Sequence, residues 1–330
     1  MALTSSHAKD SAYPVLAVNL VRCLESEPSA VISNNHNNDD SNLQEDWNLG
    51  IKYSTTGIFR QGCVIGFSRL RSREKNSDEY VGQVGFFFTN IQLHLTKYQI
   101  PRYLLTKHLL RKEPLPETSA FIIHPTNFGA FAPRTLLSTL QSQGLSRDDA
   151  IRHLDSVQLL PVHNLPSAVR AIGQVSASLQ GIQSNPISHP VVLIVAGLDT
   201  LADGVIRASS PVKGAAVLST TLRTLTRISR AHASFLSILL VNTNGLGSVQ
   251  FDDQPPKNAD DDRPSREDGI ITSIFQPPDS SLLTNLLMRT LDHGIDIHLL
   301  LSDVRADTVA EVIKDRVGSG FSKWGIWSQA

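Results

Sequence analysis

Short runs of uniformly apolar residues alternate along this chain with longer stretches in which apolar residues recur every three or four positions. The short runs are "GCVIGF" (62–67), "SAFIIHP" (119–125), "DSVQLLPV" (155–162), the "VVLIVA" of "HPVVLIVAGLDTL" (189–201) and "SFLSILLV" (234–241). Their length and lack of polar alternation predict strands buried on both faces, as in the centre of a parallel sheet. The periodic stretches predict helices over 98–110, 133–144, 165–182 and 212–233. In the last of these, Ala215, Leu218, Leu222, Leu225 and Ile228 form one apolar stripe, with Arg223, Arg227 and Arg230 clear of it. Pro101 falls early enough to be tolerated in a first turn, and Gly144 stands where a helix would be capped. Strand-helix alternation of this kind predicts an α/β fold, a mainly parallel sheet with helices on both faces. The strands 62–67, 119–124, 191–196 and 235–241 are expected to be neighbours. Beyond residue 280 the pattern predicts a helix, a strand, a further helix or strand, and a last strand bearing Trp324 and Trp327.

Three stretches depart from the rhythm. Residues 1–50 predict a lead-in, with an apolar patch at Tyr13, Val15, Leu16 and Val18 ahead of the polar linker "SNNHNNDDSNLQED" (33–46). Residues 71–95 are inserted between the first strand and its expected helix. The loop 246–280 contains "FDDQPPKNADDDRPSRED", with seven acidic residues against three basic ones. The domain expectation is therefore a lead-in over 1–50 and one core over 51–330.

Composition narrows the classes. Apolar residues at 41% and charged residues at 18% match a globular protein rather than a disordered one. A net charge of −1 provides no overall attraction to nucleic acid or anionic lipid. The two cysteines, Cys23 and Cys63, support neither a disulfide framework nor a zinc site and suit a reducing compartment. The longest apolar stretches are too short for a membrane span, and the first residues lack the layout of a secretory signal. Arg102, Lys107, Arg111 and Lys112 form a modest basic cluster around the 98–112 segment, read equally as a nucleic-acid contact or as a solvated helix face.

Several segments, in order, resemble the RecA-like ATPase core of the eukaryotic strand-exchange recombinases and their paralogues. "SAFIIHPTNFGAFAPRTLLSTLQSQGLSRDDAIRHLDSVQLLPVHN" is similar to the second core strand, the following helix entry and the third strand. "VVLIVAGLDTL" is similar to the Walker B strand, and "LRTLTRISRAHASFLSILLVNTNG" to the helix-strand unit after it. "VIKDRVGSG", with Lys314, Arg316 and Gly318, resembles a late family segment. The likeness covers about residues 51–330 and implies a three-layer αβα core.

It also implies a chemistry whose parts are altered here. No G-x-x-x-x-G-K-[ST] run is present to cradle phosphates on backbone N–H groups. Lys97 stands where the phosphate-binding lysine would be, and Tyr98 replaces the magnesium-binding hydroxyl. The Walker B acid, which holds the Mg²⁺ shell, falls by register on Ala196. Asp199, three residues later, is read either as reaching the nucleotide site or, preferably, as a cap or exit of the strand. Where the water-orienting acid is expected the chain has His124 to Asn127, and His124 is read as a strand-end residue without a chemical role. Asn242 and Asn244 occupy the region of a γ-phosphate sensor, a place where asparagine is equally an ordinary turn former. ATP and Mg²⁺ are thus the implied ligands, held weakly or lost. The expected role is a nuclear accessory subunit in double-strand break repair by homologous recombination, assembled with other recombinase-family subunits and meeting DNA through that complex. The alternative is a structural RecA-fold subunit of an Elongator-like tRNA-modification assembly.

Overall fold

The computed structural model describes residues 61–70, 100–110, 118–183, 189–247, 271–275, 282–304, 307–318 and 320–327. The lead-in, the insertion at 71–95, most of the acidic loop, Lys97 and Tyr98 lie outside these residues, as do Arg111 and Lys112.

The elements run β1 (Val64–Arg69), α1 (Ile100–Leu110), β2 (Ala120–Pro125), α2 (Pro133–Ser142), α3 (Arg147–Asp155), β3 (Val157–Val162) and α4 (Leu165–Gln183). There follow β4 (Val191–Ala196), α5 (Leu198–Ala208), α6 (Pro211–Ala231), β5 (Leu236–Val241), α7 (Leu286–His293), β6 (Ile297–Val304), β7 (Asp307–Asp315) and β8 (Trp324–Trp327). The strands form one sheet in the order β3-β2-β4-β5-β1-β6-β7-β8. β1 to β6 are mutually parallel, whereas β7 pairs antiparallel with both β6 and β8. The four strands expected to be neighbours lie side by side as β2-β4-β5-β1.

Alternation along each strand divides the core into two layers. Val191, Leu193 and Val195 of β4 face one layer with Leu198, Leu218, Leu225 and Leu291 of α5, α6 and α7. Val192, Ile194 and Ala196 face the other, with Leu104, Leu136, Leu140 and Ala150 of α1, α2 and α3. Every residue of β2, β4 and β5 is buried, which explains why these strands carry apolar residues at consecutive positions. Each fully buried Leu, Ile or Phe contributes ~1.5–3 kcal/mol relative to an exposed one. The fold is an αβα three-layer α/β architecture.

Local signals set the helix ends. Ser146 Oγ accepts from the Asp149 N–H at 3.1 Å to open α3, and Asn285 Oδ1 accepts from Met288 N–H at 2.9 Å to open α7. Pro133 and Pro211 stand at the starts of α2 and α6, where a missing N–H costs nothing. Gly144, with φ of +94°, follows the end of α2.

The structure departs from the sequence reading at three places. The two short helices α3 and α5 were not distinct in the hydrophobic pattern, because each buries only a few side chains. The segment open to helix or strand after β6 is strand β7, whose register with β6 shifts between His298 and Leu299. Arg102 is buried in the first turns of α1 rather than part of a solvated basic face. Its Nη1 donates to the Ala130 carbonyl at 3.3 Å, and burial lowers the guanidinium pKa to about 10. The α1 register that buries Leu104 and Leu105 carries Arg102 inward with them.

Candidate functional site

In an open parallel sheet, ligands are received at the carboxyl ends of the strands. Here that edge is formed by Ser68 and Arg69 of β1, His124 and Pro125 of β2, Ala196 of β4, and Asn242 to Asn244 after β5. The turn out of β4 is tight. Gly197 has φ of +70°, and a Cβ there would stand 2.7 Å from Pro125 Cγ. Only glycine lets the β4 exit pass so close to the end of β2.

Ala196 is fully buried and faces the α1–α3 layer, so the end of β4 presents a methyl group on that side. Asp199 lies in the first turn of α5, also fully buried. Its Oδ2 accepts from the backbone N–H of Thr243 at 2.8 Å and from that of Asn244, and its Oδ1 accepts from Thr243 Oγ1 at 2.9 Å. Thr200 Oγ1 closes a further hydrogen bond to Thr243 Oγ1. Burial pushes the Asp199 carboxyl above the usual carboxylate range, and the donors of Asn244 and Thr243 offset this only in part. The carboxylate thus ties α5 to the chain leaving β5.

These residues do not fit a magnesium shell. A Mg²⁺ ion needs carboxylate or hydroxyl oxygens directed into open space, but Ala196 has none and the Asp199 oxygens point at protein donors. Among the described residues no group of three or more His, Cys, Asp or Glu is placed to hold a metal ion.

His124 is buried at the end of β2, with Nδ1 2.9 Å from its neighbour's carbonyl oxygen, that of Pro125. Burial lowers its pKa, and the hydrogen bond to Pro125 opposes this incompletely, so the ring is held neutral. The two asparagines diverge. Asn244 donates its backbone N–H to Asp199, whereas Asn242 turns its side chain into the sheet and donates from Nδ2 to Ser68 Oγ at 2.7 Å. Asn242 Oδ1 is buried without a hydrogen-bond partner among the described residues.

From Ser68 a continuous polar chain runs beneath α7. Ser68 Oγ lies 2.8 Å from His298 Nε2, His298 Nδ1 lies 2.9 Å from Asp292 Oδ1, and Lys314 Nζ donates to Asp292 Oδ2 at 2.7 Å. A proton on His298 Nδ1 and a lone pair on Nε2 match the contacts of the ring. In this tautomer Nδ1 donates to Asp292 and Nε2 accepts from the Ser68 hydroxyl, whose oxygen accepts from Asn242 Nδ2. Burial by itself would raise Asp292, but His298 and Lys314 hold its carboxyl below the usual range. Lys314 is lowered by burial, which Asp292 does not fully offset. The geometry has the connectivity of a nucleophilic serine relay, yet Ser68 is fully buried and its oxygen is held from two sides. A substrate carbonyl cannot approach it. The chain joins β5, β1, β6, β7 and α7 as a clamp.

Sequence reasoning did not identify this clamp. Ser68 and His298 are separated by 230 positions, and no spacing rule links them. The nearest signals were Lys314, noted as part of "VIKDRVGSG", and Asn242. Among the described residues no helix is long and apolar enough to cross a membrane. No protein-family model matches the chain, and no curated protein matches it either.

Proposed function

We propose that this chain is a non-catalytic, RecA-type accessory subunit acting in homologous-recombination repair, assembled with other recombinase-family subunits in the nucleus and reaching DNA through them. The observation that carries the non-catalytic part is the end of β4, where Ala196 presents a methyl group and Asp199 is bound to the backbone of the β5 exit. A strand end in this state retains the architecture of a nucleotide site without the oxygen that would hold Mg²⁺. The repair assignment is supported by the ordered segments around "FAPRTL" and "LRTLTRISRAHA", which fall on α2 and α6.

Two measurements test this reading. Purified chain incubated with ATP and Mg²⁺ is expected to release no phosphate above background, since loss of one electrostatic stabiliser alone commonly costs ~10²-fold or more. Turnover at the rate of an ordinary recombinase, abolished in Lys97→Ala, would overturn it. Affinity purification of the full chain from its own cells is expected to recover recombinase-family subunits. Recovery of tRNA-modification subunits in their place would reject the repair role.

A further inference from the structure

On the outer face of the α4–α7 layer a groove of about 750 Å³ runs between α6 and α7. Its lining includes Leu222, Arg223, Arg227 and Arg230 from α6 and Thr290 and His293 from α7. One end is closed by a near contact, since a Cβ on Gly294 would lie 2.5 Å from Leu222 Cβ. Arg230 is anchored, donating to the Gly62 carbonyl at 2.8 Å and to Asp296 Oδ1 at 2.9 Å. Gly62 lies two residues before β1 and Asp296 directly before β6, so this groove opens toward the amino ends of the parallel strands, away from the edge formed by Ala196 and Asn242.

Arg152 pairs with Asp149 and Arg207 with Asp203 along their own helices. Arg223 and Arg227 are exposed and have no carboxylate partner among the described residues. Exposed arginines without a carboxylate partner among the described residues also occur at Arg134, Arg147 and Arg170, but Arg223 and Arg227 are the pair that lines this groove. Four residues apart, they are offset by ~6 Å along α6. An extended peptide repeats on one side every two residues, at ~6.6 Å.

We propose that this groove docks an extended acidic segment of a partner protein, with carboxylates at alternate positions meeting Arg223 and Arg227 and the intervening apolar side chains turned toward Leu222 and the α7 wall. Guanidinium groups suit carboxylates because they offer paired donors in a planar fork. Single-stranded nucleic acid fits less well. It requires a longer run of cations and aromatic faces for base stacking, whereas the lining supplies two uncommitted arginines and no Phe, Tyr or Trp. The inference concerns a surface remote from the strand-end site and stands independently of the repair assignment.

The test uses the full chain and fluorescence anisotropy at low salt. The probes are a short labelled peptide of alternating Leu and Glu, the same peptide with Gln in place of Glu, and a labelled oligothymidine. The Leu/Glu peptide is expected to bind, and each of Arg223→Gln and Arg227→Gln to weaken it by about tenfold or more, the loss of one charge-assisted hydrogen-bonded contact. Both side chains are exposed, so the thermal midpoint of each variant should match that of the wild type. Equal binding of the Glu and Gln peptides, or equal affinity in wild type and both variants, would overturn the proposal. Oligothymidine binding that is lost in the two variants, without peptide binding, would also overturn it and make the groove a nucleic-acid surface.

Discussion

At the scale of single residues, the strand-end edge is defined by what its polar groups already hold. Asp199 provides the acceptors for two backbone N–H groups on the chain leaving β5. Asp199→Ala strands both donors in a buried setting and is expected to lower stability by ~2–6 kcal/mol, from about 1–3 kcal/mol per unsatisfied group. Asp199→Asn keeps one acceptor oxygen and is expected to lose clearly less. Urea unfolding of the three proteins checks the order, and an Ala variant as stable as the wild type would show that the carboxylate is not the tie. His124 gives a pH dependence of known sign. Its pKa in the folded chain is depressed below the ordinary 6.5 by burial, so the unfolded chain binds the proton first. The contribution is fully present above 6.5 and is lost as pH falls through the depressed folded value. Stability measured relative to His124→Gln is therefore expected to decline as pH drops below 6.5 and to stay level above it.

At the scale of elements, two contacts hold the strand ends and α7 in place. Gly197 permits β4 to turn into α5 against Pro125. Gly197→Ala combines a left-handed backbone, which costs a non-glycine residue ~1–2 kcal/mol, with a Cβ 2.7 Å from Pro125 Cγ. The expected loss is ~2 kcal/mol or more, seen as a lower thermal midpoint. The second contact is the Asn242–Ser68–His298–Asp292–Lys314 chain. Asp292→Ala leaves the Lys314 ammonium with only the main-chain carbonyl of residue 292, and the His298 N–H without its acceptor. It is expected to cost ~3–5 kcal/mol, as for other buried pairs broken on one side. Adding Lys314→Met to that variant removes the stranded charge and should restore part of the loss, which chemical denaturation of both variants would reveal. No restoration would mean that the ammonium reaches solvent once Asp292 is gone.

At the scale of the whole molecule, charge argues against autonomous DNA binding. Nucleic-acid affinity comes first from cations that displace counterions, and this chain has a net charge of −1 with an acidic loop in the 246–280 region. Binding of a single-stranded oligonucleotide at physiological salt is expected to be no tighter than the non-specific range of ~10⁻⁴–10⁻⁶ M. A nanomolar dissociation constant in a filter or anisotropy assay would contradict this. The architecture itself is stabilised by two apolar layers on one sheet, so a parallel strand such as β4 contributes to both at once.

The fold class was legible in the chain because burial of both faces of a parallel strand demands unbroken apolar runs, and "VVLIVA", "SILLV" and "AFII" meet that demand locally. That these four strands are neighbours followed from the same feature together with the helices between them, whereas their order β2-β4-β5-β1 came from the fold. The α6 stripe was legible for an equally local reason, since a helix repeats its buried face every three to four residues. Only the tertiary structure decided what the polar residues do. Arg102 is carried inward by the register of its apolar neighbours, a fact its charge does not announce. Asp199 is committed by donors more than forty positions away, at Thr243 and Asn244. Ser68, Asn242, Asp292, His298 and Lys314 meet because β1 is inserted between β5 and β6, which the order of residues along the chain does not reveal. Apolar burial is a property of single positions and their period, whereas a hydrogen bond needs two groups at one point in space, and it is the folded sheet that brings them there.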